Sequence, residues 1–310
     1  MSTEATETHP FPVKHGKVSY YTAKDGQKLR VGEWGTELAQ PKGKLVFNHG
    51  FTEHIGVFDE LFKRMVDNGY YVLALDQRGA GEQCQGKKYG ITNETFVYED
   101  LNGVIKEYLV KNNSIEQSKK EKLFIWGHSM GGGIALNYGV KGLYRDHFTG
   151  FIGCAPLVQL HPASVPNFIL RGAMEVLARA WPTLHFPADL KMDYIVSNPD
   201  SQKKLEADEW IRPMCTVKQM YDMFQRGNAL VDPDYVANYQ RDAAVLIYHS
   251  EYDKINWYEA SKKFIDAVPV KDKQLFDAKG CEHSIHLEQA EKEKPAFDTL
   301  INFLDEHTKQ

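Results

Sequence analysis

The sequence contains few cysteines, and none of them lies close to another along the chain. Its 310 residues include four cysteines, at positions 84, 154, 215 and 281. No two of them form the C-x-x-C spacing of a zinc or redox site, and a disulfide scaffold would place more cysteines in a shorter chain. We therefore expect four reduced thiols in an intracellular protein without a zinc site.

Long apolar runs and a targeting segment are also absent. No apolar stretch approaches the roughly 20 residues that a helix needs to span a bilayer. The first fifteen residues are polar, include Glu4 and Glu7, and lack the basic-then-apolar order of a secretory signal. We expect a cytoplasmic protein in which residues 1–15 form a flexible tail, and any contact with lipid would be peripheral.

Positive charge is not in excess. The net charge is −5 and the isoelectric point about 6.2, and no basic stripe runs along the chain, so a nucleic-acid partner is not expected. Hydrophobic residues make up 42% of the chain and charged residues 25%, a balance that allows a sizeable buried core.

Short apolar segments alternate with amphipathic segments along most of the chain. The amphipathic segments include 96–110, 130–140 and 291–306, and Asn256 with Glu259 resembles a reciprocal helix cap. Strands that alternate with helices predict an α/β fold, with a mostly parallel central sheet flanked by helices. The predicted strands are residues 17–21, 29–34, 44–47, 70–75, 122–126, 151–155, 245–248 and 274–276.

One long segment breaks this alternation. Residues 157–242 contain no predicted core strand, and prolines divide them into short pieces. A stretch of this length is better explained by a helical insertion than by a single loop. We therefore predict a core formed by residues 16–156 and 243–310, with a cap, or lid, formed by residues 157–242 over the carboxyl edge of the sheet.

The most specific motif is the G-x-S-x-G sequence from Gly127 to Gly131. It follows a predicted strand and precedes a predicted helix, which is the setting of a nucleophile elbow. The serine of such an elbow sits on a sharp turn that lifts its hydroxyl out of the sheet. The motif predicts an α/β-hydrolase in which Ser129 is the nucleophile.

A serine nucleophile needs a base to take its proton and a carboxylate to orient that base. In this fold the chain order is serine, acid, histidine. Asp253 and His283 each follow a predicted strand, at the sheet edge where ligands bind, and we expect them to be the acid and the base. Glu251 and His286 are their competitors.

Backbone amides must stabilise the negative charge that develops on the substrate oxygen. The rule for this fold takes one amide from the residue after the nucleophile, Met130, and one from the loop after an early strand, where Phe51 is the candidate. We interpret His49 as a structural residue of that loop. Arg78, in a glycine-containing turn, is also interpreted as structural.

Within the predicted cap, an apolar run extends from residue 168 to residue 181. It could pack onto the core, line a tunnel for an acyl chain, or form an apolar rim that touches lipid. These interpretations are compatible, and the sequence does not choose between them.

Several motifs along the chain form a recognisable combination. They are His49-Gly50-Phe51 with Glu53-His54, Asp76–Gly81, Gly127–Gly133, His161-Pro162 and Met223–Gly227. Taken together, these motifs resemble those of monoacylglycerol lipases, the fungal members most closely, and the resemblance covers about residues 17–307. The family commonly has a glycine where this chain has Ser250, and some animal members have an arginine where it has Val57.

This resemblance implies a lid-covered α/β-hydrolase that releases a fatty acid and glycerol without metal or cofactor. It implies the same triad, Ser129, Asp253 and His283, the same two oxyanion amides, and a place for Glu53 near the glycerol end of the pocket. A cytoplasmic enzyme in peripheral contact with membranes or lipid droplets is expected.

Other readings of the same motifs remain open. A broader carboxylesterase, a diacylglycerol lipase or an acyl thioesterase could use the same triad. A protein of this fold could also bind a ligand without catalysis, since a fold does not define a function.

Overall fold

The computed structural model describes residues 9–111, 122–164, 168–188 and 190–309, with the side chains of residues 108–111 and 168–173 left out of the description. The strands are β1 Lys17–Thr22, β2 Lys28–Trp34, β3 Gly43–Asn48, β4 Tyr70–Leu75, β5 Leu123–His128, β6 Gly150–Cys154, β7 His185–Pro187, β8 Met214–Thr216, β9 Ala244–His249 and β10 Lys273–Asp277. Eight of them form a central sheet in the order β1-β2-β4-β3-β5-β6-β9-β10.

The sheet is mostly parallel, as the alternating pattern predicts. Strand β2 pairs antiparallel with both β1 and β4, whereas every other neighbouring pair in the sheet is parallel. The carboxyl ends of β3, β5, β6, β9 and β10 therefore lie along one edge. Loops that leave this edge can bring together residues that are far apart in sequence.

Helices pack against the sheet, and several more lie in the segment between β6 and β9. Among the described residues no helix is both long enough and apolar enough to cross a membrane. The α-helices are α1 Asp59–Asp67, α2 Glu94–Lys111, α3 Met130–Lys141, α4 Phe168–Ala180, α5 Met192–Ile195, α6 Pro199–Ala207, α7 Val217–Ala229, α8 Pro233–Val236, α9 Tyr258–Ala267 and α10 Ala290–Thr308.

Two apolar clusters lie against the central strands because successive side chains in a strand point to opposite faces. In β3, Val46 belongs to one cluster and Phe47 to the other. In β5, Ile125 and Trp126 divide in the same way. All six residues of β5 are buried, as expected for a strand covered by helices on both faces.

The segment between β6 and β9 contains no strand of the central sheet among its described residues. It does contain a feature that the sequence pattern did not predict. Strands β7 and β8 pair antiparallel as a separate two-stranded ribbon. Each of these strands has only three residues, which is too short for a period of two to be detected. The division of the chain into core and cap remains a prediction.

The start of α9 corrects one local prediction. The residue that caps this helix is Trp257, without a side-chain hydrogen bond, and not Asn256. The Asn256 side chain donates instead to the carbonyl oxygen of Ala155, at 2.8 Å. The amide is therefore engaged by the loop after β6, and the reciprocal cap with Glu259 does not form.

Part of the segment predicted as a flexible tail packs against the domain. Residues 1–8 lie outside the described residues, but Phe11 is buried. The backbone amides of Lys14 and His15 donate to the carboxylate of Asp59 at 3.0 and 3.2 Å. Since these contacts pair backbone donors with a buried acceptor, the prediction of a tail reaching residue 15 is wrong for its second half.

Candidate active site

Ser129 lies on a strained turn between β5 and α3. Its φ of 54° and ψ of −117° are rarely adopted by residues other than glycine. The two motif glycines allow this turn. A Cβ on Gly127 would lie 2.2 Å from the carbonyl oxygen of Gly131, and one on Gly131 would lie 2.1 Å from that of Asn48.

A continuous chain of hydrogen bonds connects Ser129 with two later residues. His283 Nε2 lies 2.8 Å from Ser129 Oγ, and His283 Nδ1 lies 2.7 Å from Asp253 Oδ2. All three side chains are buried. The structure thus brings together the three residues predicted from the motif and from the chain order, although they are separated by up to 154 positions.

Asp253 is held as a carboxylate. Burial would raise its pKa, but the charge of His283 and the hydrogen bonds from His249 and His283 outweigh that effect and lower the pKa well below its usual range. Its second oxygen, Oδ1, accepts from the backbone amides of Ile255 and Asn256 at 2.7 and 2.9 Å. An ionised carboxylate in this position can stabilise an imidazolium on His283.

The two competing residues, Glu251 and His286, take no part in the hydrogen bonds that connect Ser129, His283 and Asp253. Glu251 is exposed, and its backbone amide donates to Asp277. The ring of His286 stacks on Phe58 at 4.3 Å, and neither ring nitrogen has a hydrogen-bond partner among the described residues. Burial lowers the pKa of His286 to about 3, which keeps this imidazole neutral at physiological pH.

The predicted oxyanion residues, Met130 and Phe51, belong to the start of α3 and to the pocket lining. Met130 opens α3, so its backbone N–H has no acceptor within the helix. Phe51 lines the pocket that contains Ser129 and precedes Thr52, whose φ is 65°. His49 has the structural position that we expected, because its Nε2 accepts from the backbone amide of Gln77 at 2.8 Å.

Arg78 braces a different part of the molecule from the active-site loops. Its guanidinium donates to Asp100 and Asp25 at 2.7 to 3.1 Å. These two carboxylates belong to α2 and to the turn between β1 and β2. The residue is therefore structural, as interpreted from the sequence, and it ties the first hairpin to α2.

Glu53 lines the same pocket as Ser129 and is paired with His128, the residue before Ser129. His128 Nδ1 lies 2.9 Å from Glu53 Oε2, and the same oxygen accepts from the backbone amide of Gly50 at 2.6 Å. Burial would raise the pKa of Glu53, but the charge and hydrogen bond of His128 outweigh it and lower the pKa to about 2. Both residues line the pocket.

Asn256 is a site residue that the sequence did not identify. Its Nδ2 lies 3.5 Å from Ser129 Oγ as well as 2.8 Å from the carbonyl oxygen of Ala155. Ala155 has a φ of 42°, and the hydrogen bond to Asn256 supports this unusual turn. The sequence pattern predicts a helix cap at Asn256 instead of this contact, because local spacing does not show which loop a side chain will contact.

These residues open onto a pocket of about 440 Å³, within the range of small-molecule sites. Ser129, His283 and Glu53 lie among its polar lining residues. Much of the remaining lining comes from the segment between β6 and β9. Its apolar members include Leu157, Leu160, Phe186, Leu190, Met192, Ile195, Ile211, Met220, Met223 and Phe224.

Among the described residues, two clusters elsewhere have the composition of a metal site, and the more buried of them is formed by His9, His54 and Asp208. His9 Nε2 and His54 Nε2 lie 3.1 and 2.9 Å from the carboxylate of Asp208. However, each Nδ1 accepts a backbone amide, from Phe11 and Gly56 respectively. Because each Nδ1 acts as an acceptor, the ring hydrogen lies on Nε2, which faces Asp208. His54 donates this hydrogen to the carboxylate, so the geometry favours direct contact with Asp208 over metal ligation.

A serine on a strained strand-to-helix turn, joined to a histidine and an aspartate from later strands of a mostly parallel sheet, defines a serine hydrolase of the α/β-hydrolase fold. A family model described as serine aminopeptidase, S33, matches residues 39–290. The chain is 33% identical to the monoglyceride lipase of Saccharomyces cerevisiae, over 92% of each protein. It is 30% identical to a putative monoglyceride lipase of Schizosaccharomyces pombe, over 91% of this chain and 72% of that protein.

Solved structures show the same relationship. A soluble variant of the Saccharomyces cerevisiae monoglyceride lipase, crystallised with a substrate analogue, superposes with a TM-score of 0.88 at 32% identity, covering 97% of this chain and 99% of the other. A monoacylglycerol lipase of Paleococcus ferrophilus superposes with a TM-score of 0.73 at 25% identity, covering 91% and 100%. The chain belongs to the monoglyceride lipase family of α/β-hydrolases and is a carboxylic ester hydrolase.

Proposed function

We propose that this protein hydrolyses monoacylglycerols to a fatty acid and glycerol, with Ser129, His283 and Asp253 as its catalytic triad. The observation that carries the proposal is the hydrogen-bonded chain from Ser129 through His283 to Asp253, of which Ser129 and His283 line a largely apolar pocket. Similarity to fungal monoglyceride lipases over nearly the whole chain supports the choice of substrate.

In the acylation step, Ser129 Oγ attacks the ester carbonyl while His283 Nε2 takes its proton. The 2.8 Å distance between these atoms allows direct transfer. The backbone amides of Phe51 and Met130 stabilise the oxyanion, and Asp253 stabilises the imidazolium. Collapse of the tetrahedral intermediate breaks the ester bond, and His283 returns the proton to the departing glycerol oxygen.

In the deacylation step, water replaces glycerol. His283 takes a proton from this water as it attacks the acyl-enzyme, and the second tetrahedral intermediate releases the fatty acid and restores the Ser129 hydroxyl. The apolar lining from residues such as Met220 and Phe224 accommodates the acyl chain. Glu53 is one of the polar residues that line the pocket, and we assign it to the glycerol end.

We also propose that the cap contacts a membrane or lipid-droplet surface peripherally. Val176 and Trp181 of the segment from 168 to 181 are 66% and 63% exposed, and Leu184 follows them at 49%. Met174 is buried, and Leu177 packs against the core. The side chains of residues 168–173 lie outside the described part of the run, and those that follow divide between packing and exposure. The exposed ones are suited to insertion among lipid headgroups.

The proposal is tested by incubating the purified protein with monoacylglycerols, diacylglycerols, triacylglycerols, a short ester and an acyl-CoA, and measuring fatty acid release. Ser129→Ala is the blank, and we expect it to lose several orders of magnitude of turnover. Preferential release from monoacylglycerols supports the proposal.

Other outcomes contradict different parts of it. Equal or faster turnover of another substrate would keep the triad but overturn the monoacylglycerol assignment. Near-normal turnover by Ser129→Ala would overturn the nucleophile. Failure of the parent protein both to release fatty acid and to react with a fluorophosphonate probe would indicate a binding protein without an activated serine.

A further inference from the structure

The carboxylate of Asp253 faces a second imidazole besides His283. His249 Nε2 lies 3.0 Å from Asp253 Oδ2, the same oxygen that His283 Nδ1 contacts at 2.7 Å. His249 is the last residue of β9 and is fully buried. Asp253 Oδ2 therefore receives one hydrogen bond from the proposed base and one from a residue outside the triad.

The hydrogen positions on His249 follow from its two neighbours. Its Nε2 faces a carboxylate and must carry a hydrogen, while its Nδ1 lies 2.9 Å from Ser261 Oγ. Ser261 lies on α9 and is fully buried. Its hydroxyl can donate to Nδ1, so both ring nitrogens of His249 are engaged and the ring is oriented.

We propose that His249 is a positioning residue for the triad. It holds Asp253 in place and weakens the attraction of the Asp253 carboxylate for the proton on His283. This inference rests on the proposed function. With His249 present, the Asp253 carboxylate accepts four hydrogen bonds, from two imidazoles and from the amides of Ile255 and Asn256. Its rotation about the Cβ–Cγ bond is therefore restricted.

The electrostatic consequence has a definite sign. A hydrogen bond from His249 spreads the charge on Asp253 Oδ2 and makes this oxygen a weaker acceptor for His283. Removing the donor leaves a more basic carboxylate, which stabilises the imidazolium more strongly. As the pH is lowered, His283 would then take up the proton that prevents it from acting as a base at a higher pH than in the parent protein. The acidic limb of the kcat/KM profile would therefore move to higher pH.

Other titratable groups surround these residues, and the experiment leaves them unchanged. The His128 ring lies 5.0 Å from that of His283 and the Tyr258 ring 5.7 Å from that of His249. Three more groups interact electrostatically with Asp253 or His283, namely Cys154 on β6, and Glu282 and His286 in the loop after β10.

The test compares His249→Leu, which removes the donor, with His249→Gln, whose amide nitrogen can replace Nε2 but does not titrate. Rates on a soluble monoacylglycerol are measured from pH 5 to 9 and are divided by the concentration of active sites titrated with a fluorophosphonate. For His249→Leu we expect kcat to fall about tenfold, with an unchanged KM and an acidic limb about one pH unit higher. His249→Gln should restore most of both.

The outcomes separate this inference from the proposed function. If the parent protein is active and the His249→Leu profile, per active site, coincides with the parent profile, the positioning role is wrong while the triad stands. Failure of His249→Gln to restore the acidic limb would equally overturn it, because a donor alone would then be insufficient. A parent protein that releases no fatty acid would instead overturn the proposed function itself.

Discussion

His128, the residue before the proposed nucleophile, is paired with Glu53 across a distance of 2.9 Å. The pair joins the last residue of β5 to the loop after β3, and both residues line the pocket. The 75 positions between the two residues place this contact beyond the reach of any local motif. The contact therefore joins two parts of the pocket lining through one buried carboxylate, that of Glu53.

The Glu53–His128 pair should make stability depend on pH. The pKa of Glu53 is about 2 in the folded protein against an ordinary value of 4.5, so its contribution is complete above about pH 4.5 and is lost as the pH falls toward 2. The shift corresponds to about 3 kcal/mol of unfolding free energy. Urea denaturation at a series of pH values should show this loss in the parent protein and a smaller loss in Glu53→Gln. Parallel curves for the two proteins would contradict the prediction.

Substitution of Gly131 should be far more damaging than substitution of a glycine in an open turn. A Cβ at Gly131 would lie 2.1 Å from the carbonyl oxygen of Asn48, whereas a Cβ at Gly26 would meet no atom within 4 Å. Gly26 has a φ of 85°, so Gly26→Ala should cost only about 1 kcal/mol of backbone strain.

For Gly131→Ala we expect a loss of about 3 kcal/mol or more, because backbone atoms must move. Thermal unfolding of the two variants beside the parent protein measures the difference. Equal destabilisation by both substitutions would show that the approach of Gly131 to Asn48 is less close than described.

The exposed part of the cap should bind lipid surfaces. Trp181→Ala combined with Val176→Ser removes two exposed apolar side chains, and we expect several-fold weaker sedimentation with phospholipid vesicles. Leu143→Ala is the matched control, because Leu143 is 69% exposed but lies outside the segment between β6 and β9. An unchanged vesicle affinity of the double variant would refute the proposed contact.

Cys281, the cysteine nearest to the proposed base in the sequence, should not react with thiol reagents. Cys281 lies two residues before His283, but it is buried and its Sγ donates to the carbonyl oxygen of Lys292. Burial raises its pKa to about 12, so almost no thiolate is present at neutral pH. Treatment of the folded protein with iodoacetamide at pH 7 should leave both activity and mass unchanged, and modification should require urea. Rapid inactivation of the folded protein would contradict this prediction.

The sequence alone predicted the features that depend on local chemistry. The alternation of apolar and amphipathic segments predicted the mostly parallel sheet, and the motif around Ser129 predicted the strand–turn–helix that the structure contains. Asp253 and His283 could be chosen because parallel strands bring their carboxyl ends to one edge. Local reasoning failed at Asn256, where a plausible capping pattern competes with a hydrogen bond to a distant carbonyl group.

The residues of the proposed triad and the glycines of the elbow could thus be predicted from the sequence, since short-range sterics and chemistry constrain them wherever the fold occurs. Tertiary structure alone decided which further side chains contact the proposed triad. The pairing of Glu53 with His128 and the shared contact of His249 and His283 on Asp253 arise from strand order and loop packing. No local period or spacing encodes such contacts, because each depends on the relative placement of segments that are distant in the chain.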